Sequence, residues 1–373
     1  MKRLIFFALT LIFIAPLSAF NSANAATPLV ITEPTHRLID GKFVNDELAE
    51  KLLPTGELGK LVFSSANFGK SWLVDPATLA EITAMSNGYG VIDGSTPVGQ
   101  EIAKAWLAQF NQITRSRPIA ALIYGNPSKF WLDKLIPAEV EYLQAISKIK
   151  LEEYLGRAVD GAVSTTAERQ KINNQMQNTF VFAIKQFDLM STLVDEKEFD
   201  LLKLRMTQLL NPSIESGDLN PLYNNFQTSL NETRNKLRIS KSKFTVTSSK
   251  QELPITVIND FNSPVKLKLT TRPLTSKVLV RPTDAIEIPA SSKIQVLLPI
   301  EVVASGQTLL LAQLTNLENK PIGFPVNIAL NLSVISPAAT WITSGAAIIL
   351  FAAAVIQSVR RFRKGQKGLV DGK

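Results

Sequence analysis

The 373-residue chain contains no cysteine and a single histidine, His36. Without cysteine there is no disulfide, no thiol nucleophile and no thiolate-held zinc. Its domains must be stable through their cores alone, and an exported protein of this composition fits a bacterial envelope better than an animal cell surface. One histidine excludes a metal held by two histidines of the same chain, and with it the usual ligand set of a metal-dependent deacetylase. A serine hydrolase would have only His36 as its base, and neither a G-x-S-x-G elbow nor a Walker-type phosphate loop is present. No basic stripe with interleaved aromatics marks a nucleic-acid interface. The sequence therefore implies no cofactor, no metal and no nucleic acid.

What is present is concentrated first at the two ends. Lys2 and Arg3 precede an apolar run from Leu4 to Leu17, followed by Ala23-Asn24-Ala25. A basic start, a short apolar stretch and an A-x-A site read as a secretory signal over residues 1–25, cleaved after Ala25 or Ala26. Near the other end, Trp341 to Val359 is almost wholly apolar, and Arg360, Arg361, Arg363 and Lys364 follow. A helix of that length rises about 28 Å, so a transmembrane helix is expected over 338–359. The basic tail, 360–373, would then be cytoplasmic and everything before the helix extracytoplasmic. Part of the formal net charge of +8 sits in these two ends, so the intervening chain is only mildly basic.

Between the ends the hydrophobic period changes twice. Over 26–155, short apolar runs alternate with helical patterns. Lys60–Ser64, Ser71–Asp75 and Pro118–Tyr124 read as strands. One helix is predicted after Asp75 with Pro76 in its first turn and Leu79, Ile82 and Met85 on one face. A second, from about Thr96-Pro97, carries Ile102, Trp106 and Phe110. This alternation predicts an α/β barrel-like domain, too short for a complete eight-stranded barrel of about 250 residues. Over 156–240 the pattern is helical. Thr165 and Glu168 have capping-box spacing ahead of Ile172, Met176, Phe180, Ile184 and Phe187. Asp195 opens a second helix, and Asn220-Pro221 a third. Over 241–335 the period becomes two, with short runs separated by Pro, Gly and Asn, which predicts an immunoglobulin-like β-sandwich. The fold class expected is thus α+β and multidomain, closed by one C-terminal transmembrane helix.

Several stretches in this order resemble a known family. His36-Arg37-Leu38-Ile39-Asp40-Gly41, Trp72-Leu73-Val74-Asp75-Pro76-Ala77-Thr78-Leu79, Met85-Ser86-Asn87-Gly88-Tyr89, Ala105-Trp106-Leu107 and Leu253-Pro254-Ile255-Thr256-Val257-Ile258-Asn259-Asp260 carry the likeness. The chain resembles an uncharacterised family of secreted, single-anchor actinobacterial envelope proteins, a domain of unknown function often encoded beside the lipid II flippase, here in shortened form. The resemblance implies an N-terminal region similar to carbohydrate-active barrels of the polysaccharide-deacetylase type, a fold analogy that assigns no activity.

The candidate chemistry centres on strand ends. Asp75 ends a predicted strand, where barrel enzymes place catalytic groups, and is the one candidate catalytic acid. A glycosidase needs a second carboxyl. The family pattern has an acid where this chain has Asn126, and Asp93 and Glu101 are the other acids nearby. Asp before Pro at a strand-to-helix junction is equally a helix cap, the reading the sequence favours. Trp72, Tyr124, Asn126 and Trp131 are candidate ligand-binding residues, with Phe130 and the aromatics among them offering a sugar-stacking surface or, more simply, core packing. His36 reads as a surface or packing residue. The function expected is a membrane-anchored, extracytoplasmic, non-catalytic binding or scaffolding protein near cell-wall assembly, partnered by membrane lipid, wall polymer or wall-synthesis proteins. The alternative is a carbohydrate-active hydrolase, glycosidase or deacetylase-like.

Overall fold

The computed structural model describes residues 27–163, 168, 170–333 and 337–367. The expected signal segment, 1–25, and Thr165 of the expected capping box lie outside them. The described chain divides into two compact units. The first draws on residues 27–36, 45–126 and 141–163, and the second on residues 37–44, 127–140, 168, 170–333 and 337–367.

The first unit is built on four parallel strands in the order β1 (Leu29–Ile31), β2 (Trp72–Val74), β3 (Ile119–Leu122), β4 (Asp160–Val163). Each strand lies beside its predecessor in sequence, the arrangement of a barrel segment rather than of a sheet with a reversal point. Between β1 and β2 run α1 (Glu47–Leu52) and α2 (Glu57–Phe63). Between β2 and β3 run α3 (Pro76–Ser86) and α4 (Gln100–Thr114). The region around Lys60–Ser64, expected to be a strand, belongs to α2. Leu58 and Val62 are buried four residues apart, a helical spacing that overrides the local apolar run. Trp106 stacks on Phe110 at 5.2 Å between ring centres, and Phe110 meets Trp72 edge-on at 6.4 Å. Trp106 also donates its indole N–H to the Leu58 carbonyl at 3.1 Å, which joins α4 to α2.

The second unit carries α5 (Lys129–Leu135), while α6 (Val140–Leu155) returns to the first. Three helices follow, α7 (Asn174–Met190), α8 (Asp200–Leu209) and α9 (Ser216–Arg234). Asn173 caps α7 by accepting from Met176 N–H at 2.8 Å. α9 starts before the expected Asn220-Pro221, so Pro221 lies inside it. Phe187 stacks on Phe199 at 5.4 Å, and Phe199 meets Phe261 at 6.3 Å, which ties the helices to the strands that follow. One sheet has the order β5 (Leu237–Ile239), β7 (Lys250–Asn259), β11 (Ser292–Val302), β9 (Val278–Val280). The other has the order β10 (Ile286–Ile288), β8 (Val265–Pro273), β12 (Gly306–Thr315), β13 (Pro321–Leu332), β6 (Lys243–Val246). In β8 the inward-facing Val265, Leu267 and Leu269 alternate with outward residues, so the period of two reports the pleat directly.

The expected transmembrane helix at 338–359 is overturned: among the described residues no helix is long and apolar enough to cross a membrane. A helix does form, α10 (Pro337–Lys367). Its uninterrupted apolar stretch, Ala346 to Ile356, rises only about 16 Å, roughly half the hydrocarbon thickness. Ser344-Gly345 precede that stretch and Gln357-Ser358 follow it. The single-pass topology built on this segment loses its basis with it.

Candidate functional site

The C-terminal ends of β1, β2 and β3 are where a barrel-type sheet presents its chemistry, and a buried polar cluster stands there. Asp75 follows β2 directly. Its side chain is fully buried. Oδ1 accepts from Ala77 N–H at 2.9 Å, capping α3, and from Gly125 N–H at 2.9 Å. Oδ2 lies 3.2 Å from the Thr78 hydroxyl. One carboxyl therefore holds the start of α3 and the turn after β3 together.

Thr78 passes the connection on. Its Oγ1 accepts from Glu33 N–H at 2.8 Å and faces the Glu33 carbonyl at 3.4 Å. One turn further along α3, Glu81 accepts from the Thr35 hydroxyl and from His36 N–H, the latter at 2.9 Å. The His36 ring lies between Asn45 Oδ1 at 3.0 Å and Glu33 Oε1 at 3.3 Å, and Lys51 pairs with Glu33. Asp75, Thr78 and Glu81 are spaced by three, which puts them along one side of the helix start.

Burial first, and Glu81 among the smaller causes, push the Asp75 carboxyl up to about 7, against the Gly125, Ala77 and Thr78 hydrogen bonds that favour its ionised form. Burial alone would lower His36, but the Glu33 hydrogen bond, the charges of Glu81 and Glu33, and Asn45 together raise it. Near neutrality Asp75 thus sits between its two forms. When protonated, Oδ2 donates to Thr78, whose own proton turns to the Glu33 carbonyl. When ionised, Asp75 receives that proton's hydrogen bond instead. The Thr78 hydroxyl satisfies either state.

The other predicted residues are dispersed. Trp72 is core, only 1% exposed, and does not form a stacking surface. Tyr124 is half-buried, its N–H held by Ser147 Oγ at 2.8 Å. Asn126 is buried with a left-handed backbone, φ 40°, and closes the turn through its N–H to the Ile123 carbonyl at 2.7 Å. Asn tolerates that conformation better than most residues. Trp131 belongs to the second unit. It is buried, donates Nε1–H to Gln170 O at 2.7 Å, and has the Lys134 ammonium 4.9 Å over its ring. Asp93 is exposed and accepts from Ser95 N–H at 2.8 Å, while the exposed Glu101 pairs with Lys104 at 2.7 Å. His36, read as a surface or packing residue, is buried in the polar cluster. Glu33, Thr35, Thr78 and Glu81 were not singled out from the sequence. The spacing of Thr78 and Glu81 from Asp75 was the one available signal, since Glu33 and Thr35 lie more than forty positions from their partners.

No curated protein matches the chain. Among solved structures it is similar to WR4, a C. elegans MSP family member, at 9% identity and a TM-score of 0.21, covering 26% of this chain and 97% of that one. It is also similar to E. coli alpha-2-macroglobulin at 12% identity and a TM-score of 0.20, covering 26% of this chain and 6% of that one. The E. coli chaperone DraB matches at 10% identity and a TM-score of 0.21, covering 27% and 57%. None of these likenesses bears on function. Residues 146–367 match the model of a family of unknown function, and the chain belongs to that family, DUF6049.

Proposed function

We propose that this is an extracytoplasmic, non-catalytic binding or scaffolding protein of the cell envelope, acting near cell-wall assembly. One observation carries the non-catalytic part. The strand-end carboxyl that a hydrolase would use, Asp75, is fully buried and engaged by Ala77, Thr78 and Gly125 of its own fold. A catalytic acid or nucleophile must touch the reacting atoms. The alternative, a carbohydrate-active hydrolase, needs Asp75 and a second carboxyl facing each other across an open groove, roughly 5 to 10 Å apart. The envelope location and the tie to wall assembly are supported by the resemblance of the His36–Gly41, Trp72–Leu79 and Leu253–Asp260 stretches to secreted actinobacterial proteins encoded beside the lipid II flippase.

Crosslinking in intact cells followed by affinity capture and mass spectrometry tests the role. Wall-synthesis proteins are expected to be enriched over a secreted control. Protease added to spheroplasts is expected to digest the sandwich. Protection of the sandwich, or capture that matches the control, contradicts the proposal.

A further inference from the structure

The opposite side of the first unit from the strand-end cluster is distinguished by its charge. Around the end of α4, the exposed Arg115 borders two adjoining concavities. One, of about 520 Å³, is lined by Asn111, Gln112, Tyr154 and Arg157. The other, of about 330 Å³, is lined by Phe68, Gln112, Ser116 and Arg117. No acid lines either one. The sequence agrees, because no Asp or Glu occurs between Glu101 and Asp133.

An exposed basic residue is ordinarily solvated or paired, and four lysines of this unit are paired. Lys51, Lys104, Lys148 and Lys150 each meet a carboxylate. Among the described residues, Arg115, Arg117 and Arg157 have no ion-pair partner. Arg157 is instead fixed by the backbone. Its Nη2 donates to the Thr114 carbonyl at 2.7 Å and to the Arg117 carbonyl at 2.9 Å. That offsets the negative end of α4 and pins the turn that carries Arg115 and Arg117. The three guanidinium groups are therefore gathered by the fold onto a surface without counter-charge.

Planar guanidinium forks suit phosphate oxygens better than they suit a single spherical anion. Two concavities sharing Arg115 and Gln112 suit successive anions along a chain better than one isolated ion. The exposed Gln112 amide, and the neutral Tyr154 hydroxyl already bonded to Asn111 and Thr83, give the cleft uncharged hydrogen-bonding groups of the kind a polyol takes. We propose that this arginine cleft binds a phosphate-bearing polyol chain, gripping successive phosphodiesters with Arg115, Arg117 and Arg157. The inference does not rest on the reading of Asp75, and its test is separate.

The experiment uses the full chain and fluorescently labelled poly(glycerol phosphate), read by anisotropy. Inorganic phosphate, phosphatidylglycerol vesicles and polygalacturonate serve as competitors. The polymer is expected to bind, to weaken as salt rises, and to lose at least about tenfold in affinity in the Arg115→Gln/Arg117→Gln double variant. Both residues are exposed and make no ion pair, so the melting temperature of the double variant should match the parent; Arg157→Lys, which keeps the charge and loses the fork, should fall between them. Competition by inorganic phosphate at equal phosphate concentration assigns the same site to the free ion. Competition by vesicles that is lost in the double variant assigns it to a lipid headgroup. Absence of binding by all three phosphate probes, binding indifferent to the double variant, or equal competition by polygalacturonate overturns the proposal.

Discussion

The strand ends of the first unit and the sandwich of the second handle buried polar groups in opposite ways. The sandwich interior is filled by alternating Val, Leu and Ile. Its buried Asn259 joins two turns without any charge, donating to the Ser263 and Pro289 carbonyls at 2.9 Å each and accepting from Phe261 N–H at 3.0 Å. The strand-end cluster instead buries three acids and a histidine together, and each links segments far apart in sequence. A polar network of that kind is stabilising only while every member is satisfied. The difference separates sheets cored by apolar side chains from a region whose stability depends on where protons sit.

The comparison can be broken most forcefully through the cores. Trp106→Ala removes the ring stacked on Phe110 and the bond to Leu58, and should cost about 3–5 kcal/mol by chemical denaturation. A loss under 1 kcal/mol would mean that the stack in the first unit does not hold it together. Next comes Lys203, a buried cation of α8 in the second unit, which bonds Glu139 at 2.9 Å and also pairs with Glu196. Lys203→Ala leaves Glu139 without its cation and should cost about 3 kcal/mol, whereas Lys203→Met should cost less. Asn259→Ala should cost about 2 kcal/mol, since it strands the Ser263 and Pro289 carbonyls and the Phe261 N–H.

The smallest substitution effect sharpens the contrast further. Asp75→Asn keeps the acceptor for Ala77 and Gly125 and offers Thr78 a donor, as the protonated carboxyl does, so it should change stability by less than about 1 kcal/mol at pH 4. Its signature is the pH profile. The folded carboxyl holds its proton up to about 7 while the unfolded one releases it near 3.8. The folded state thus binds more protons in that window, and stability from this group falls as pH rises through it, then levels off. His36, raised when folded, acts in the same direction, its contribution complete below about 6.5 and lost above. Denaturation midpoints measured from pH 4 to 8 should decline in the parent and decline less in Asp75→Asn. Parallel profiles would remove Asp75 as the proton holder.

How far the sequence discloses this follows from the range of each interaction. Asp75-Pro76 announces a helix start because cap and first turn are adjacent. The sandwich is readable because a pleated strand buries every second residue. The network around His36 is hidden because its partners arrive from α3 and α1, and no local period reports such a meeting. β4 is hidden for a different reason: Asp160-Gly161-Ala162-Val163 buries only Ala162, so it shows neither an apolar run nor an alternation. The C-terminal apolar segment shows the reverse failure, in which composition over a long window suggested a span that the helix does not provide. Arg115-Ser116-Arg117 stood in plain view, but only the carbonyls that fix Arg157 bring the third guanidinium beside them.

The central claim is that Asp75 organises the strand ends and does no chemistry. Replacing the gene with its Asp75→Asn form, and measuring growth or wall phenotype together with protein abundance, tests it most directly. The account predicts normal function at normal abundance, because the amide keeps every bond that positions the Gly125 turn and α3. Loss of function with the folded protein at its usual level would show that the carboxyl itself reacts, and would contradict the account.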